Sequence, residues 1–266
     1  MSKPLYAVAR ALLTPPLRFW FRLRVSGAEN IPPEGGAIIA PNHKSFLDAF
    51  FVGIATTRHV RYMAKAELFK GPLAWLFPRL GAFPVRRGEA DADAVETARI
   101  ILEQGGIVVV FPEGTRVDEP DALGSPHHGA GRLAFEARVP IVPTAIAGTS
   151  RLWLGPIPKP RRVQVSFLKP LDVAEIASAR DALSLLIDQE VWPAVQQEYG
   201  RLAATPGVVV TVLAALGISG GLFARRRAQP QTPRLLGKLD PRRVRRQKAR
   251  QRAAERVRSR LRRLRR

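Results

Sequence analysis

The sequence predicts an α/β fold: a largely parallel central sheet flanked by helices, with an N-terminal interfacial helical segment in front and an apolar helix plus a basic tail behind. Three observations predict it. From Gly35 onward, short apolar runs alternate with stretches of helical period, the order that builds parallel sheets through crossover helices. The unit from Asp91 to Phe111 opens its helix with acidic residues and closes it on Gly105 and Gly106. It then continues as an unbroken apolar run, Ile107 to Phe111, the mark of a strand buried on both faces. Finally, 46% of the 266 residues are apolar, enough for one sizeable core.

Taken in order, residues 4–23 mix Leu, Phe, Tyr6 and Trp20 with Arg10, Arg18 and Arg22. That pattern suits a helix lying in a membrane interface, and equally a helix packed on the body. Expected strands are 37–40, 59–64, 82–85, 107–111, 141–147 and 162–168. Helical segments are expected near 46–55, 67–78, 91–104, 129–137 and 179–203. The organisation is then an interfacial segment over 1–30, the main domain over 31–204, an apolar membrane-associating segment over 205–224 and an arginine-rich tail over 225–266.

No charged residue occurs from Leu202 to Ala224. As a helix that stretch is long enough for the roughly 30 Å of bilayer hydrocarbon, although its glycines and Pro206 weaken a simple span. Gly217 and Gly221 form a GxxxG pair of low specificity. A single span would also carry the basic tail out of the cytosol, against the positive-inside rule, so a re-entrant or interfacial insertion fits better.

Charge is unevenly placed. The 43 Lys and Arg exceed the 22 Asp and Glu by 21, an excess that taken whole suggests a nucleic-acid binder. Residues 1–30 sum to +4, residues 31–224 to zero and residues 225–266 to +17. The body is neutral. The tail suits an anionic lipid surface, on which it becomes an amphipathic helix, and nucleic acid satisfies the same charges through phosphates. It has no aromatic residues of the kind that read bases.

The absence of cysteine excludes disulfides, thiolate zinc sites and a cysteine nucleophile, and four histidines argue against a histidine-rich metal site. The N-terminal segment interrupts its apolar residues with Arg10, Pro15, Pro16 and Arg18 and lacks a small-residue cleavage site, so no secretory signal is expected. The expected location is the cytoplasmic face of the cell membrane, peripheral or with one inserted segment.

Two segments carry chemistry. Asn42-His43-Lys44-Ser45-Phe46-Leu47-Asp48 follows the expected strand ending at Ala40, where ligand sites of open α/β sheets gather. If Ser45 caps a helix, Asp48 lies in its first turn and reaches back to His43, fixing the tautomer of a general base. The same residues also read as a capping box that leaves His43 an ordinary turn residue. Beyond the strand 107–111 comes Pro112-Glu113-Gly114-Thr115-Arg116, in which Gly114 permits close backbone approach, Thr115 offers a hydroxyl and Arg116 a fork for phosphate oxygens. Alone, it also reads as a polar surface turn. His127 and His128 read as loop residues near the site, and His59 as structural or exposed.

NHKSFLD and FPEGTR resemble the two signatures of the glycerolipid acyltransferase family that includes the 1-acylglycerol-3-phosphate acyltransferases. The resemblance continues in the same order through residues 62–69, 81–87 and 139–143, and covers about residues 30–170. It implies acyl transfer from a thioester, acyl-CoA or acyl carrier protein, to the free hydroxyl of a lysophospholipid such as 1-acylglycerol-3-phosphate, giving phosphatidic acid. It implies His43 as base with Asp48 as its partner, and Glu113, Gly114, Thr115 and Arg116 on the acceptor with Arg116 at its phosphate. Lys65 matches a lysine that helps to bind phosphate, and Arg86 is a weaker candidate for the same role. No cofactor and no metal are implied. The competing expectations are another lysophospholipid or a glycolipid as acceptor, or a noncatalytic membrane or nucleic-acid adaptor working through the tail.

Overall fold

The computed structural model describes residues 3–71, 74–86, 91–119, 122–154, 157–173 and 186–204. The expected apolar segment 205–224, the tail 225–266 and the first part of the helix expected over 179–203 lie outside the described residues. The elements are α1 (Lys3–Trp20), β1 (Arg24–Ser26), β2 (Ala37–Pro41), α2 (Asp48–Ala55), β3 (Val60–Lys65), α3 (Leu76–Arg79), β4 (Ala82–Val85) and α4 (Ala92–Glu103). There follow β5 (Ile107–Val109), α5 (Gly129–Ala137), β6 (Ile141–Ala147), β7 (Trp153–Leu154), β8 (Ile157–Pro158), β9 (Gln164–Phe167) and α6 (Trp192–Ala203).

Seven strands form one sheet in the order β1-β9-β6-β2-β5-β3-β4, and every pairing in it is parallel except β6 with β9. Every residue of β2, β5 and β6 is buried, as their continuous apolar sequences require. Alternation along these strands feeds two cores. Ala37, Ile39, Ile107, Val109 and Val142 pack with Phe51 and Val52 of α2 and with Phe21. Ile38, Ala40, Val108 and Ile141 pack on the other face with Ala98 and Leu102 of α4 and Leu133 and Ala134 of α5. The largely parallel sheet flanked by helices is the fold the sequence predicts.

Local chemistry sets the boundaries. The Asp91 carboxylate caps α4 by accepting from Ala94 N–H at 3.2 Å, and Gly105, at φ 77°, turns the chain into β5. The helix expected over 67–78 is instead a 3-10 turn, Ala66–Phe69, and the single turn α3. Gly71-Pro72 explains the break, because a residue before proline is driven out of the helical region. The helix expected to end at 203 contains a widened π turn, Ile187–Val191, just before α6. Pro193 has no N–H for the carbonyl four residues back, which accounts for the widening.

The segment 1–30 is divided between two roles. α1 lies beside α2, whereas β1 enters the sheet at its edge, with Arg24 opposite Gln164. Among the described residues no helix is long and apolar enough to cross a membrane. His59 is partly buried, its ring 4.0 Å from that of Tyr6 in an edge-to-face contact.

Candidate active site

β2 and β5 are parallel neighbours, with Ile39 opposite Val109, so the two chemical motifs leave the sheet side by side at its carboxyl edge. The connection from β5 through α5 passes over β2 to β6, and this reversal of strand order opens the crevice in which α/β sheets bind ligands.

The turn after β2 is organised by Asp48, the fully buried first residue of α2. Its Oδ2 accepts from His43 Nδ1 at 3.0 Å, from Lys44 N–H at 2.6 Å and from Ser45 N–H at 2.7 Å. The expected serine cap does not form: α2 starts from Leu47 without a side-chain cap, and the carboxylate reaches backward instead. With Nδ1–H given to Asp48, the lone pair of the imidazole is on Nε2. The ring stacks on Phe111, centroids 4.0 Å apart, and is 7% exposed. One nitrogen is thus anchored in the fold, and the side chain borders a cavity.

Two buried side chains hold this turn to the neighbouring strands. The Asn42 amide donates to Ile146 C=O at 3.0 Å and accepts from Ile146 N–H at 2.7 Å, tying the turn to β6. Glu113 ties it to the loop after β5: Oε1 accepts from His43 N–H at 3.0 Å and Oε2 from Gly124 N–H at 3.1 Å. Val117 N–H donates to His43 C=O at 3.0 Å, and Lys44 Nζ donates to Glu119 C=O and Ala122 C=O. The role of Asn42 carries no clear signal in the sequence, since its partner lies 104 positions away.

Glu113 was expected on the acceptor, and the structure places it elsewhere: it is 4% exposed and gives both oxygens to backbone N–H groups. Burial raises its pKa above the ordinary 4.5, against the opposing effect of those two hydrogen bonds. A raised carboxyl pKa means that the folded state binds the proton more tightly. Its contribution is therefore complete below pH 4.5 and is lost as the pH rises through the folded value. Thermal melts of wild type and Glu113→Gln between acid and neutral pH check this. The stability of wild type relative to the variant falls as the pH rises above 4.5, and parallel curves contradict the assignment.

The remaining candidates divide. Lys65 and Arg116 line the same cavity as His43. Lys65 pairs with Glu67 at 3.3 Å at the surface, a contact weak enough to exchange for a ligand phosphate. Gly114 has φ 66°, and a Cβ there would stand 3.0 Å from His127 Cδ2, so the turn needs glycine. Thr115 is exposed beside it. Arg86 is not brought into the cavity lining: it pairs with Asp91 at 3.6 Å and Asp93 at 3.7 Å at the start of α4. His127 N–H donates to Pro112 C=O at 2.8 Å, within the same loop, and His128 pairs with Asp188 at 3.1 Å on the surface.

The cavity, of about 240 Å³, lies between α1, α2, β3 and α3. Its walls are apolar, including Leu13, Phe50, Ile54, Met63, Phe77 and Leu80. His43, Lys65 and Arg116 stand at the carboxyl edge of the sheet, and Gly53, Tyr62 and Tyr6 also line the cavity. A Cβ at Gly53 would come within 2.4 Å of the Tyr62 hydroxyl, so α2 and this tyrosine approach closely only because residue 53 is glycine. An apolar chain with a reactive polar head matches such a site.

Known proteins are similar to this chain in sequence and in fold. Residues 22–147 match the acyltransferase family model. The chain is 34% identical over 130 residues to the 1-acyl-sn-glycerol-3-phosphate acyltransferase of Bacillus subtilis (strain 168), covering 48% of this chain and 64% of that protein. It is 28% identical over 137 residues to a chloroplastic enzyme of the same description from Arabidopsis thaliana, covering 50% of this chain and 38% of that one. In structure it is similar to PlsC, the 1-acyl-sn-glycerophosphate acyltransferase from Thermotoga maritima, with a TM-score of 0.59 at 25% identity over 78% of this chain and 86% of that one. The matched parts span less than two thirds of these curated relatives. Over residues 22–147 the chain is thus similar to the acyltransferase family, and its fold is similar to that of a solved member of the group.

Proposed function

We propose that the protein is an O-acyltransferase that moves a fatty acyl group from a thioester, acyl-CoA or acyl carrier protein, to the free hydroxyl of 1-acylglycerol-3-phosphate, giving phosphatidic acid. The observation that carries this reading is His43, bound through Nδ1 to buried Asp48 and bordering an apolar cavity shared with Lys65 and Arg116. Similarity to relatives described as 1-acyl-sn-glycerol-3-phosphate acyltransferases supports it.

In the reaction, His43 Nε2 takes the proton from the acceptor hydroxyl as its oxygen attacks the thioester carbonyl. Asp48 stabilises the imidazolium that forms. The carbon–sulfur bond breaks, and the departing thiolate takes the proton back from His43, so base and ester are both left neutral. No covalent acyl-enzyme is needed, in keeping with a chain that has no cysteine. The acyl chain occupies the apolar cavity, while Arg116 and Lys65 hold the acceptor phosphate, Arg116 through its two-pronged donor geometry. The backbone at Gly114 and the Thr115 hydroxyl contact the acceptor from the same loop. Lipid substrates favour a position at the cytoplasmic face of the membrane, with α1 and the basic tail on anionic lipid.

The test supplies purified protein with acyl-CoA and, in parallel, lysophosphatidate, lysophosphatidylcholine and a glycolipid, and follows thiol release. Lysophosphatidate gives the highest kcat/KM, and Arg116→Gln lowers that preference more than it lowers turnover of the neutral acceptors. Equal rates on all acceptors reject the phosphate assignment.

A further inference from the structure

Two stretches of the chain contain no acidic residue. Residues 3–28 carry Lys3, Arg10, Arg18, Arg22 and Arg24, and residues 137–171 carry Arg138, Arg151, Lys159, Arg161, Arg162 and Lys169. The fold brings parts of them together at one edge of the sheet. β1 pairs with β9, Arg24 N–H donates to Val163 C=O at 3.0 Å, and Val163 N–H donates to Phe21 C=O at 2.9 Å. The last residue of α1 is fixed to the β7–β8 ribbon, with Trp20 Nε1–H donating to Pro158 C=O at 2.9 Å.

This edge exposes large apolar side chains. Phe19 at the end of α1 is 85% exposed, and on the ribbon Leu154 is 71% and Ile157 61% exposed, with Trp20 and Trp153 partly exposed beside them. Leu154 and Ile157 are directly paired across the ribbon. A two-stranded ribbon is marginally stable in water, and it gains nothing there from an apolar pair at its outer end. Exposed tryptophans and aliphatic residues, carried on stretches whose charges are all basic, match the boundary between lipid headgroups and acyl chains.

We propose that the β7–β8 ribbon is a membrane anchor separate from the body of α1: Trp153, Leu154 and Ile157 enter the interface of an anionic bilayer while the surrounding arginines meet its phosphates. The ribbon adjoins the site. Trp153 and Arg151 line a second cavity together with Phe46, Arg116, Asp118 and Glu119, and Phe46 and Arg116 also border the cavity that holds His43. Docking by the ribbon therefore sets the entrance of the site on the lipid surface, so that lipid enters without crossing water.

The test exploits the absence of native cysteine, which lets a single introduced thiol be labelled cleanly. Full-length Leu154→Cys, Ile157→Cys and, as a control on α4, Thr97→Cys carry an environment-sensitive fluorophore. Each is mixed with vesicles of phosphatidylglycerol and phosphatidylcholine, or of phosphatidylcholine alone. On the anionic vesicles the labels at 154 and 157 show a several-fold rise in emission, a blue shift and quenching by acyl-chain-borne quenchers, while the label at 97 does not change. Three results overturn the proposal. Labels at 154 and 157 that stay in water on vesicle-bound protein assign the binding to other parts of the chain. Labels already shielded before vesicles are added show that a second copy, or this chain's own residues 205–224, covers the ribbon. Equal insertion into phosphatidylcholine alone removes the electrostatic basis. Fluorescence reads insertion without turnover, so the outcome is independent of the proposed reaction.

Discussion

His43→Ala lowers kcat on lysophosphatidate by about two to four orders of magnitude, the range in which a positioned general base contributes. The loss falls on kcat more than on KM, because the imidazole acts on the proton in flight while the walls of the cavity hold the chain. Folding is spared: removing the ring leaves Asp48 accepting from Lys44 and Ser45 N–H, so the turn keeps its organising carboxylate. Asp48→Asn separates the two functions of that carboxylate. An amide retains the size of the group but cannot stabilise an imidazolium, and it can donate to Nδ1 and so turn the ring into the wrong tautomer. Thiol-release kinetics and melting temperatures on the same preparations check both variants. Wild-type turnover by His43→Ala excludes it as the base.

Asn42→Ala is expected to cost about 2–6 kcal/mol of stability, since it strands both the N–H and the C=O of Ile146 in the fully buried strand β6 and each such loss costs about 1–3 kcal/mol. Against a total of about 5–15 kcal/mol for a typical domain this is a large share. Urea unfolding measures it as a lower midpoint at unchanged slope. Asn42→Asp is a sharper version: the carboxylate still accepts from Ile146 N–H but faces Ile146 C=O without a donor. An unchanged midpoint in both variants shows that the amide does not tie the turn to β6.

The relation between His43 and Asp48 was legible because it is local: five residues and one turn decide it, and the geometry of a strand leading into a helix is common to many sheets. The fold class was legible for a similar reason, since continuous apolar strands such as 107–109 and 141–147 have no other place than a sheet interior. What escaped is long-range. Glu113 stands in a motif that reads as polar and exposed, yet its carboxylate folds inward to N–H groups at 43 and 124, which only the pairing of β2 with β5 brings within reach. Arg86 enters only as a weaker phosphate-binding candidate that the resemblance implies. Its neighbours Asp91 and Asp93 lie on the next helix start and compete for it. β1, three residues long, carries too little pattern to be distinguished from the interfacial segment before it.

β5, β2 and β6 are adjacent, and Glu113 and Asn42 fasten the turn that bears His43 to the strands on either side of it. The apolar walls come from other stretches: α1, β3, α3 and the later part of α2, where Gly53 makes room for the Tyr62 hydroxyl. On the proposed reaction, the groups for proton transfer and most of the apolar walls are thus encoded apart; in α2 the first residue serves the one and the second turn the other. Substitutions confined to those walls, such as Phe50→Ala, are therefore expected to change the preferred acyl length while His43 and Asp48 keep their geometry.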